Sequence, residues 1–362
     1  MTYDIAVLPG DGIGPEVVAV AVEVLERTTR HSGGDLDVRL ETIDAGAGRW
    51  RRTGSALADD DFELCRSADA MLLGAMGLPD ARHPDGREAG SDVIFRLRFG
   101  LDLYAGVRPV KLYPGAPSPL RDPQGIDYVI VRENTEGLYA ARPGGSRVEG
   151  EVAADTSIVT RSGTDRIARH AFELANHRAG RRRVTSVDKA NVLGSYAFWR
   201  SVVEHVSLDF PELELESVYV DAAALYLVQR PASFDVLVAE NMFGDILSDL
   251  GAATIGGLGL SPSADLGIDH GLFQSAHGSA PDIAGRGSAN PHATVLSVAM
   301  MLDWLGRRNG DRAATRAAGW VEEAVSRVIA SGDGLTADLG GERSTTETSE
   351  ALLLALDSVA GG

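Results

Sequence analysis

Short apolar runs alternate with amphipathic stretches along much of the chain. The first run, Ile5–Leu8, leads into the turn PGDGIGPE and then into apolar residues at helical spacing through Val17–Leu25. Pro15 suits the first turn of that helix, where a missing N–H costs nothing. Further strands are predicted at Val38–Ile43 and Ala70–Leu73. This part of the chain therefore predicts strands joined by helices.

The centre of the chain repeats that pattern three times. Apolar runs at Val184–Val187, Val218–Val220 and Val236–Ala239 each lead into a stretch with helical periodicity, and an earlier strand is predicted at Tyr128–Val131. Such alternation is typical of a mostly parallel sheet with helical crossovers. We therefore expect an α/β fold.

Three other regions differ from this pattern. The segment Ile94–Val110 is periodic enough to predict a helix that breaks at Pro109. The Gly- and charge-rich residues Gly144–Glu151 predict a projecting loop or arm. A long amphipathic helix is expected near Thr294–Trp304, followed by helical C-terminal segments.

Composition narrows the class of protein. A chain of 362 residues has room for two domains. A formal charge of −18 argues against nucleic acid as a partner, because phosphate binding needs a basic surface. We see neither a secretory signal nor a membrane-spanning apolar stretch, so no membrane partner is expected. The single cysteine, Cys65, forms no internal disulfide, which favours the cytoplasm, and we interpret it as a core residue.

Two residues are candidate proton carriers. Nearly all basic residues are arginine, because Lys111 and Lys189 are the only lysines. A lysine can deprotonate and an arginine cannot, so Lys189, beside polar residues, suggests acid–base chemistry. Lys111 is interpreted as chance retention. Tyr139 is a second candidate, although by itself it is better explained as an ordinary half-buried tyrosine.

Polar side chains follow the predicted strands of the central region. They are Arg132, Lys189, Asp221 and Asp245. Ligands of open α/β sheets collect at the carboxyl ends of strands, so we expect these four side chains to form one site.

Carboxylates and arginines supply the candidate ligands of that site. Asp245 and Asp249 are four residues apart, so a helix places both on one face. The opposite side would pack inward through Ile246, Leu247 and Leu250. Alone, such a pair is usually solvated, but Asp221 adds a third oxygen donor that suits Mg²⁺ or Mn²⁺. Arginine forks bind carboxylates, and the candidates are Arg98, Arg108 and Arg132. Each arginine alone is explained equally well by a surface ion pair, and Arg96 fits that explanation better.

Two glycine-containing motifs bear on nucleotide binding. Gly10–Gly14 has the spacing GxGxG rather than GxGxxG, so we interpret it as a strand-to-helix turn and not as a dinucleotide fingerprint. In HGSAPDIAG, small residues would let a nucleotide approach the backbone, with His277 beside an adenine. Asp282 would accept hydrogen bonds from ribose hydroxyls and repel a 2′-phosphate, which favours NAD over NADP. In isolation this motif is equally typical of a loop.

Together, these motifs resemble those of the β-decarboxylating dehydrogenases, the isocitrate/isopropylmalate dehydrogenase family, and are closest to its isopropylmalate members. The resemblance covers nearly the whole chain, through LPGDGIGPEV, LRFGLDLYAGVRP, VRENTEGLY, VDKANVL, VDAAALYLV, NMFGDILSDL and HGSAPDIAGRGSANP. It implies a two-domain α/β fold with a mixed, mostly parallel sheet that is not of the Rossmann type. Residues 1–103 and 255–362 would form the first domain, with the NAD-binding loops. Residues 104–254 would form the second, with the dimer contacts and a projecting arm near 140–158.

The resemblance also implies roles for individual residues. Lys189 would be the catalytic base and Tyr139 the acid. Substrate would contact Arg98, Arg108, Arg132, Ile94 and Phe95. Mg²⁺ or Mn²⁺ would be held by Asp221, Asp245 and Asp249. NAD would contact His277, Gly278, Ser279, Ala280, Asp282, Ile283 and Asn290. A homodimer with shared active sites is expected, in which Lys189 and Asp221 come from the partner subunit.

The implied reaction is NAD-dependent oxidative decarboxylation of a small hydroxy dicarboxylic acid to a 2-keto acid and CO₂. Apolar Ile94 and Phe95 favour 3-isopropylmalate or a related alkyl-malate, and Asp92 would repel the third carboxylate of isocitrate. Ser91 and Gly106 depart from the isopropylmalate pattern, and RENTEGLY is closer to that of tartrate or homoisocitrate enzymes. The alternatives are therefore a tartrate/D-malate or a homoisocitrate/isocitrate dehydrogenase and, more remotely, a non-catalytic nucleotide-binding relative.

Overall fold

The predicted apolar runs form strands of a mixed, mostly parallel α/β architecture. The computed structural model describes residues 1–140, 145–148, 150–178 and 180–361. In chain order the strands are β1 (Thr2–Gly10), β2 (Asp37–Thr42), β3 (Ala70–Ala75), β4 (Ala105–Lys111), β5 (Asp127–Glu133), β6 (Ser146–Val148), β7 (Val152–Ala154), β8 (Arg183–Asp188), β9 (Glu214–Tyr219), β10 (Val236–Ala239), β11 (Pro262–Leu266) and β12 (Gly271–Ser275).

The helices that join these strands are α1 (Gly14–His31), α2 (Ala47–Thr53), α3 (Asp59–Ser67), α4 (Ser91–Gly100), α5 (Arg161–Arg178), α6 (Gly194–Ser207), α7 (Val220–Gln229), α8 (Asn241–Thr254), α9 (His292–Asn309), α10 (Arg312–Ser331) and α11 (Thr345–Ala360). Short 3₁₀ turns occur at Pro231–Ser233, Leu258–Leu260 and Ala337–Leu339. Across the described ranges, none of the helices is both long and apolar enough to cross a membrane.

The chain divides into two units. The first comprises Met1–Asp102, Tyr113–Pro117 and Gly256–Gly362, and the second comprises Leu103–Leu112 and Ser118–Ile255. Each unit thus contains segments that are distant in sequence. The short segment Tyr113–Pro117 groups with the first unit, where a side chain at Gly115 would meet the carbonyl of Ile329 at 2.7 Å.

The strands of the first unit run in the order β2-β1-β3-β12-β11. All neighbours are parallel except β11, which is antiparallel to β12. Helix α1 carries Pro15 in its first turn, as predicted, and buries Val17 and Leu25. Cys65 is fully buried, which raises the pKa of its thiol to about 12, so its interpretation as a core residue is confirmed.

The strands of the second unit run in the order β4-β5-β10-β8-β9. Strands β5, β10, β8 and β9 are mutually parallel, and β4 is antiparallel to β5. The predicted fold class, a mixed and mostly parallel α/β sheet, is therefore confirmed. The strand predicted at Val218–Val220 instead ends at Tyr219, and Val220 opens helix α7.

The helix predicted over Ile94–Val110 is wrong in its second half. Helix α4 ends at Gly100, and the chain turns through Asp102, which has a positive φ of 48°, before it enters β4. Pro109 lies within that strand opposite Val129. Helical spacing of apolar residues past Gly100 was coincidental, because these side chains alternate along a strand instead.

Strands β6 and β7 form a separate antiparallel pair in which Val148 faces Val152. Both valines are more than half exposed. These strands lie within the arm predicted near residues 140–158, of which residues 141–144 and 149 lie outside the described residues.

The glycine turn after β1 packs around one buried carboxylate. Gly10 has a φ of +79°, and a Cβ there would lie 2.0 Å from the carbonyl oxygen of Ala75, so only glycine fits. The carboxylate of Asp11 accepts backbone hydrogen bonds from Ala47, Gly48 and Gly77 at 2.7–2.8 Å. These amides point at a protein carboxylate, in agreement with a structural turn rather than a phosphate-binding loop.

Replacing Asp11 by alanine is expected to lower the free energy of unfolding by about 3 kcal/mol or more, because three amide donors lose their acceptor. Urea unfolding followed by tryptophan fluorescence measures the change. The matched control is Asp4→Ala, which removes an exposed carboxylate paired with Arg39 and is expected to cost less than about 1 kcal/mol. Equal losses in the two variants would contradict a special role for Asp11.

Candidate active site

Helix α8 presents two of the predicted metal ligands on one face. Asp245 and Asp249 lie one turn apart on this helix, as predicted. Ile246 was expected to pack inward, but its side chain is 60% exposed. Leu247 is buried as predicted and Leu250 is partly buried, so the prediction is wrong for Ile246 alone.

Arg132, near the end of β5, lies directly beside helix α8. Its guanidinium is almost fully buried, and its Nη1 donates to the carboxylate of Asp245 in a short contact. Its Nε and Nη2 both donate to the side-chain oxygen of Asn241, at 3.0 and 2.7 Å. The structure thus brings together two of the four polar residues that follow predicted strands.

Tyr139 belongs to the same group. Its hydroxyl lies 3.4 Å from Asp245 Oδ2, and the guanidinium carbon of Arg132 lies 5.6 Å from the centre of its ring. Partial burial raises the pKa of Tyr139, the negative charge of Asp245 raises it further, and Arg132 opposes both effects. The phenol therefore stays protonated at neutral pH and is able to donate a proton.

The pKa of Asp249 is also set by opposing effects. Its pKa is raised first by partial loss of water and then by the neighbouring charge of Asp245, whereas Arg108 and Arg132 lower it. Arg108 is buried on β4, opposite Ile130 of β5. Two like charges one helix turn apart are therefore balanced by arginines from two adjacent strands.

Lys189 and Asp221 form a second group. Lys189 follows β8, Asp221 lies in the first turn of α7, and Lys189 Nζ donates to Asp221 Oδ1 at 2.8 Å. That hydrogen bond lowers the pKa of Asp221, whose side chain is 69% exposed. Within the described part of the chain, no three His, Cys, Asp or Glu side chains cluster closely enough to hold an ion. The three predicted metal ligands are thus split between two groups.

Arg98, the third predicted substrate ligand, lies on α4 in the first unit. It is buried, and its Nε donates at 2.9 Å to Asp265, a carboxylate without solvent exposure. Gln274 donates to the same carboxylate oxygen at 3.2 Å. Arg96 pairs with Asp59 at 2.6 Å, as expected of a surface ion pair.

The two apolar residues predicted to select the substrate precede Arg98 on α4. Ile94 and Phe95 are both partly exposed. Phe95 stacks on Phe99, with ring centres 5.9 Å apart. In the first turn of the same helix, Asp92 accepts a 2.7 Å hydrogen bond from His83. The charge of Asp92 therefore has a partner within the chain.

The predicted NAD-binding loop is tied to the glycine turn of the same unit. The carbonyl of Ser279 accepts a 2.8 Å hydrogen bond from the amide of Ile13, and Ser279 Oγ donates to the carbonyl of Gly77 at 2.5 Å. The next residue, Ala280, has a positive φ of 36°, which is unusual for a residue other than glycine. Strain of this kind persists only where the surroundings impose it.

The remaining residues of this loop differ in burial. His277 Nδ1 contacts the carbonyl of Gly278 at 2.9 Å, and its buried Nε2 has no hydrogen-bond partner among the described residues. Burial lowers the pKa of His277, so its ring is neutral at neutral pH. Gly278 and Asp282 are exposed, and Ile283 is partly exposed.

Asn290 is buried and fully engaged through its side-chain amide. Its nitrogen donates to Asp338 at 2.9 Å, and its oxygen contacts His292 Nδ1 at 2.6 Å. Burial lowers the pKa of His292 to about 4, so this imidazole is neutral. The network orders the start of α9 directly after the predicted loop.

Sequence reasoning missed the residues that hold the predicted ones in place. Asp11, Asn241 and Asp265 are all buried and all accept hydrogen bonds near a predicted site residue. Only Asn241 carried a signal in the sequence, because it lies four residues before Asp245 and so shares its helix face.

Known proteins of one family match this chain over almost its full length. The family model described as isocitrate/isopropylmalate dehydrogenase matches residues 4–352. The 3-isopropylmalate dehydrogenase of Leifsonia xyli subsp. xyli is 42% identical over 361 residues, covering 97% of both chains. That of Moorella thermoacetica is 46% identical over 341 residues, covering 91% of each. The crystal structure of isocitrate dehydrogenase from Methylococcus capsulatus matches with a TM-score of 0.86 at 37% identity, covering 98% of this chain and 99% of that one.

These matches identify an enzyme of the β-decarboxylating dehydrogenase class. The chain belongs to the isocitrate/isopropylmalate dehydrogenase family.

Proposed function

We propose that this enzyme oxidises and decarboxylates 3-isopropylmalate, or a closely related alkyl-malate, with NAD as the hydride acceptor. The observation that carries this proposal is the similarity, at 41–46% identity over most of the chain, to proteins named 3-isopropylmalate dehydrogenase. The apolar residues Ile94 and Phe95, partly exposed on α4, support an alkyl substituent on the substrate.

In this proposal, arginines bind the two carboxylates of the substrate. Arg108 and Arg132 are buried in the second unit, where desolvation strengthens their attraction for anions. Arg98 is the third arginine of the set, and Asp265 fixes its Nε. Fixed guanidinium groups lose little conformational freedom when they bind a carboxylate through two hydrogen bonds.

Two residues move protons in the proposed reaction. Lys189 removes the proton of the C2 hydroxyl as the C2 hydride leaves for NAD. The bond between C3 and its carboxylate then breaks, CO₂ departs, and Tyr139 donates a proton to C3. The raised pKa of Tyr139 supports this role, because it keeps the phenol protonated until it is needed.

The carboxylates on α8 are suited to Mg²⁺ or Mn²⁺. Asp245 and Asp249 offer hard oxygen donors. Partial loss of water raises the pKa of Asp249, the charge of Asp245 raises it further, and a cation would relieve that repulsion. A bound ion of this kind polarises the substrate's C2 oxygen. Asp221, the third proposed ligand, is paired with Lys189 of its own chain.

The proposed NAD site uses the loop His277–Asn290. The unpartnered, buried Nε2 of His277 is suited to a hydrogen bond with the cofactor. Exposed Gly278 leaves the backbone accessible, and Ser279, Ala280 and Ile283 complete the loop that we propose as the cofactor contact. Exposed Asp282 favours NAD, because its charge would repel a 2′-phosphate.

We further propose a homodimer in which Lys189 and Asp221 complete the site of the partner subunit. Large apolar side chains are exposed on α7 and α8 and after Lys189, and such patches mark protein interfaces. They are Val192, Leu193, Leu225, Val228 and Ile246. Lys189 precedes Val192 and Leu193, and Asp221 lies in the first turn of the helix that carries Leu225 and Val228, so burial of these residues would place the pair at an interface.

Isocitrate is the second candidate substrate. The structural match to the isocitrate dehydrogenase of Methylococcus capsulatus, with a TM-score of 0.86, favours it. Asp92 argues against it, because the third carboxylate of isocitrate would meet a negative charge there.

Steady-state NAD reduction with Mn²⁺ across a panel of hydroxy acids tests the substrate. We expect kcat/KM for 3-isopropylmalate to exceed that for isocitrate, homoisocitrate, D-malate and tartrate by about tenfold or more, since an apolar pocket favours an alkyl group by that factor. A kcat/KM for isocitrate above that for 3-isopropylmalate would instead support isocitrate as the substrate. No NAD reduction with any of the acids would overturn it.

Lys189→Met is expected to reduce kcat by at least about 10²-fold while the circular dichroism spectrum is unchanged, because the general base is lost. Lys111→Met is the matched control, since it removes the only other lysine and should retain near wild-type kcat. Near-normal turnover in Lys189→Met rules out Lys189 as the base.

A heterodimer of two inactive variants tests the shared site. One subunit carries Lys189→Met, the other Asp249→Asn, and two different affinity tags isolate the mixed dimer. One of its two sites would then combine an intact Lys189 with an intact Asp249, so we expect about half of wild-type activity. An inactive mixed dimer would show that both residues serve the site of their own chain.

A further inference from the structure

Helix α8 holds Arg132 with three residues on one face. Asn241, Gly244 and Asp245 lie at positions i, i+3 and i+4, which share a face of a helix. We define these three residues as the arginine cradle. We propose that Asn241 is a positioning residue for substrate binding, which fixes the Arg132 guanidinium without neutralising its charge. This inference rests on the function proposed above.

The cradle contacts the whole length of the Arg132 side chain. A Cβ at Gly244 would lie 2.8 Å from Arg132 Cβ and 2.9 Å from its Cγ, so the aliphatic stem packs on bare helix backbone. Asn241 Oδ1 accepts from Nε and Nη2, and Asp245 accepts from Nη1. The side chain therefore has a single position, set by the motif NMFGD.

The orientation of the Asn241 amide is itself fixed. Its nitrogen donates to the carbonyl of Glu136 at 3.1 Å, and the residue is almost fully buried. A flipped amide would direct its N–H groups at a guanidinium, which has only donors. Asn241 Oδ1 is therefore held toward Arg132.

Asn241 is uncharged, and this matters because carboxylates already lie close to Arg132. Arg132 pairs with Asp245. Asp249 lies one turn further along α8, and buried Glu240 caps the start of the helix. A carboxylate at position 241 would offer the same acceptor geometry but would compensate the guanidinium a second time. The attraction of Arg132 for an anionic substrate would then be lost.

Asn241→Asp separates charge from geometry, because the two side chains are nearly isosteric. We expect KM for 3-isopropylmalate to rise by about tenfold or more, because an added negative charge opposes an anionic ligand. KM for NAD should stay within about twofold. The thermal midpoint is expected to fall, because aspartate cannot donate the hydrogen bond that Asn241 gives to the carbonyl of Glu136, so the deciding measurement is KM for the acid. Asn176→Asp is the matched control, because exposed Asn176 also accepts from an arginine, Arg182 at 3.2 Å. The control should leave both KM values unchanged.

Gly244→Ala tests the cradle by a second route. It displaces the stem of Arg132 without any change of charge, so KM for 3-isopropylmalate should again rise while KM for NAD stays constant. A merely structural role for Asn241 and Gly244 would instead lower kcat and leave KM for the acid unchanged.

The outcomes separate this inference from the function on which it rests. Wild-type activity together with unchanged KM for the acid in both Asn241→Asp and Gly244→Ala would overturn the inference alone. A wild-type enzyme that oxidises none of the acids would overturn the proposed function and this inference with it.

Discussion

A buried guanidinium is the constraint around which the second unit is organised. Arg132 is 3% exposed, and a charge in that position is stable only when its hydrogen bonds are satisfied. Helix α8 supplies the partners, one charged and one neutral, from residues a single turn apart. The same helix carries Asp249, whose pKa is raised first by partial loss of water and then by the charge of Asp245. The position of the Arg132 guanidinium, its charge partners and the pKa of Asp249 therefore all depend on the packing of β5 against α8.

The first unit contains a buried carboxylate, that of Asp11, and stabilises it in a different way. Backbone amides from two other segments surround the carboxylate of Asp11. Amides carry only partial charge, so this arrangement joins loops without creating a site for an external anion. Ile13 and Ser279 extend the linkage to the proposed cofactor loop. The conformation of that loop is thus supported by residues that a nucleotide need not touch.

Lys189 and Asp221 contrast with both of these buried groups. Their hydrogen bond is exposed to water, where an ion pair contributes little to stability. Exposed apolar residues follow both members of the pair along the chain, Val192 after Lys189 and Leu225 after Asp221. The proposed dimer accounts for both features, because the apolar surface would be covered and the pair would gain a site to serve.

Local patterns in the sequence determined the fold class, the helix that carries Asp245 and Asp249, and the structural nature of the Gly10–Gly14 turn, because each depends on periodicity or on backbone sterics within a few residues. The tertiary structure decided what local patterns do not encode. Past Gly100 the chain forms β4 rather than helix, because pairing with β5 outweighs an apparent helical spacing. The partners of the predicted site residues also came only from the fold, since Arg98 meets Asp265 across 167 residues of chain and Arg132 meets Asn241 across 109. Contacts between distant residues arise from packing, and no spacing in a single sequence records them.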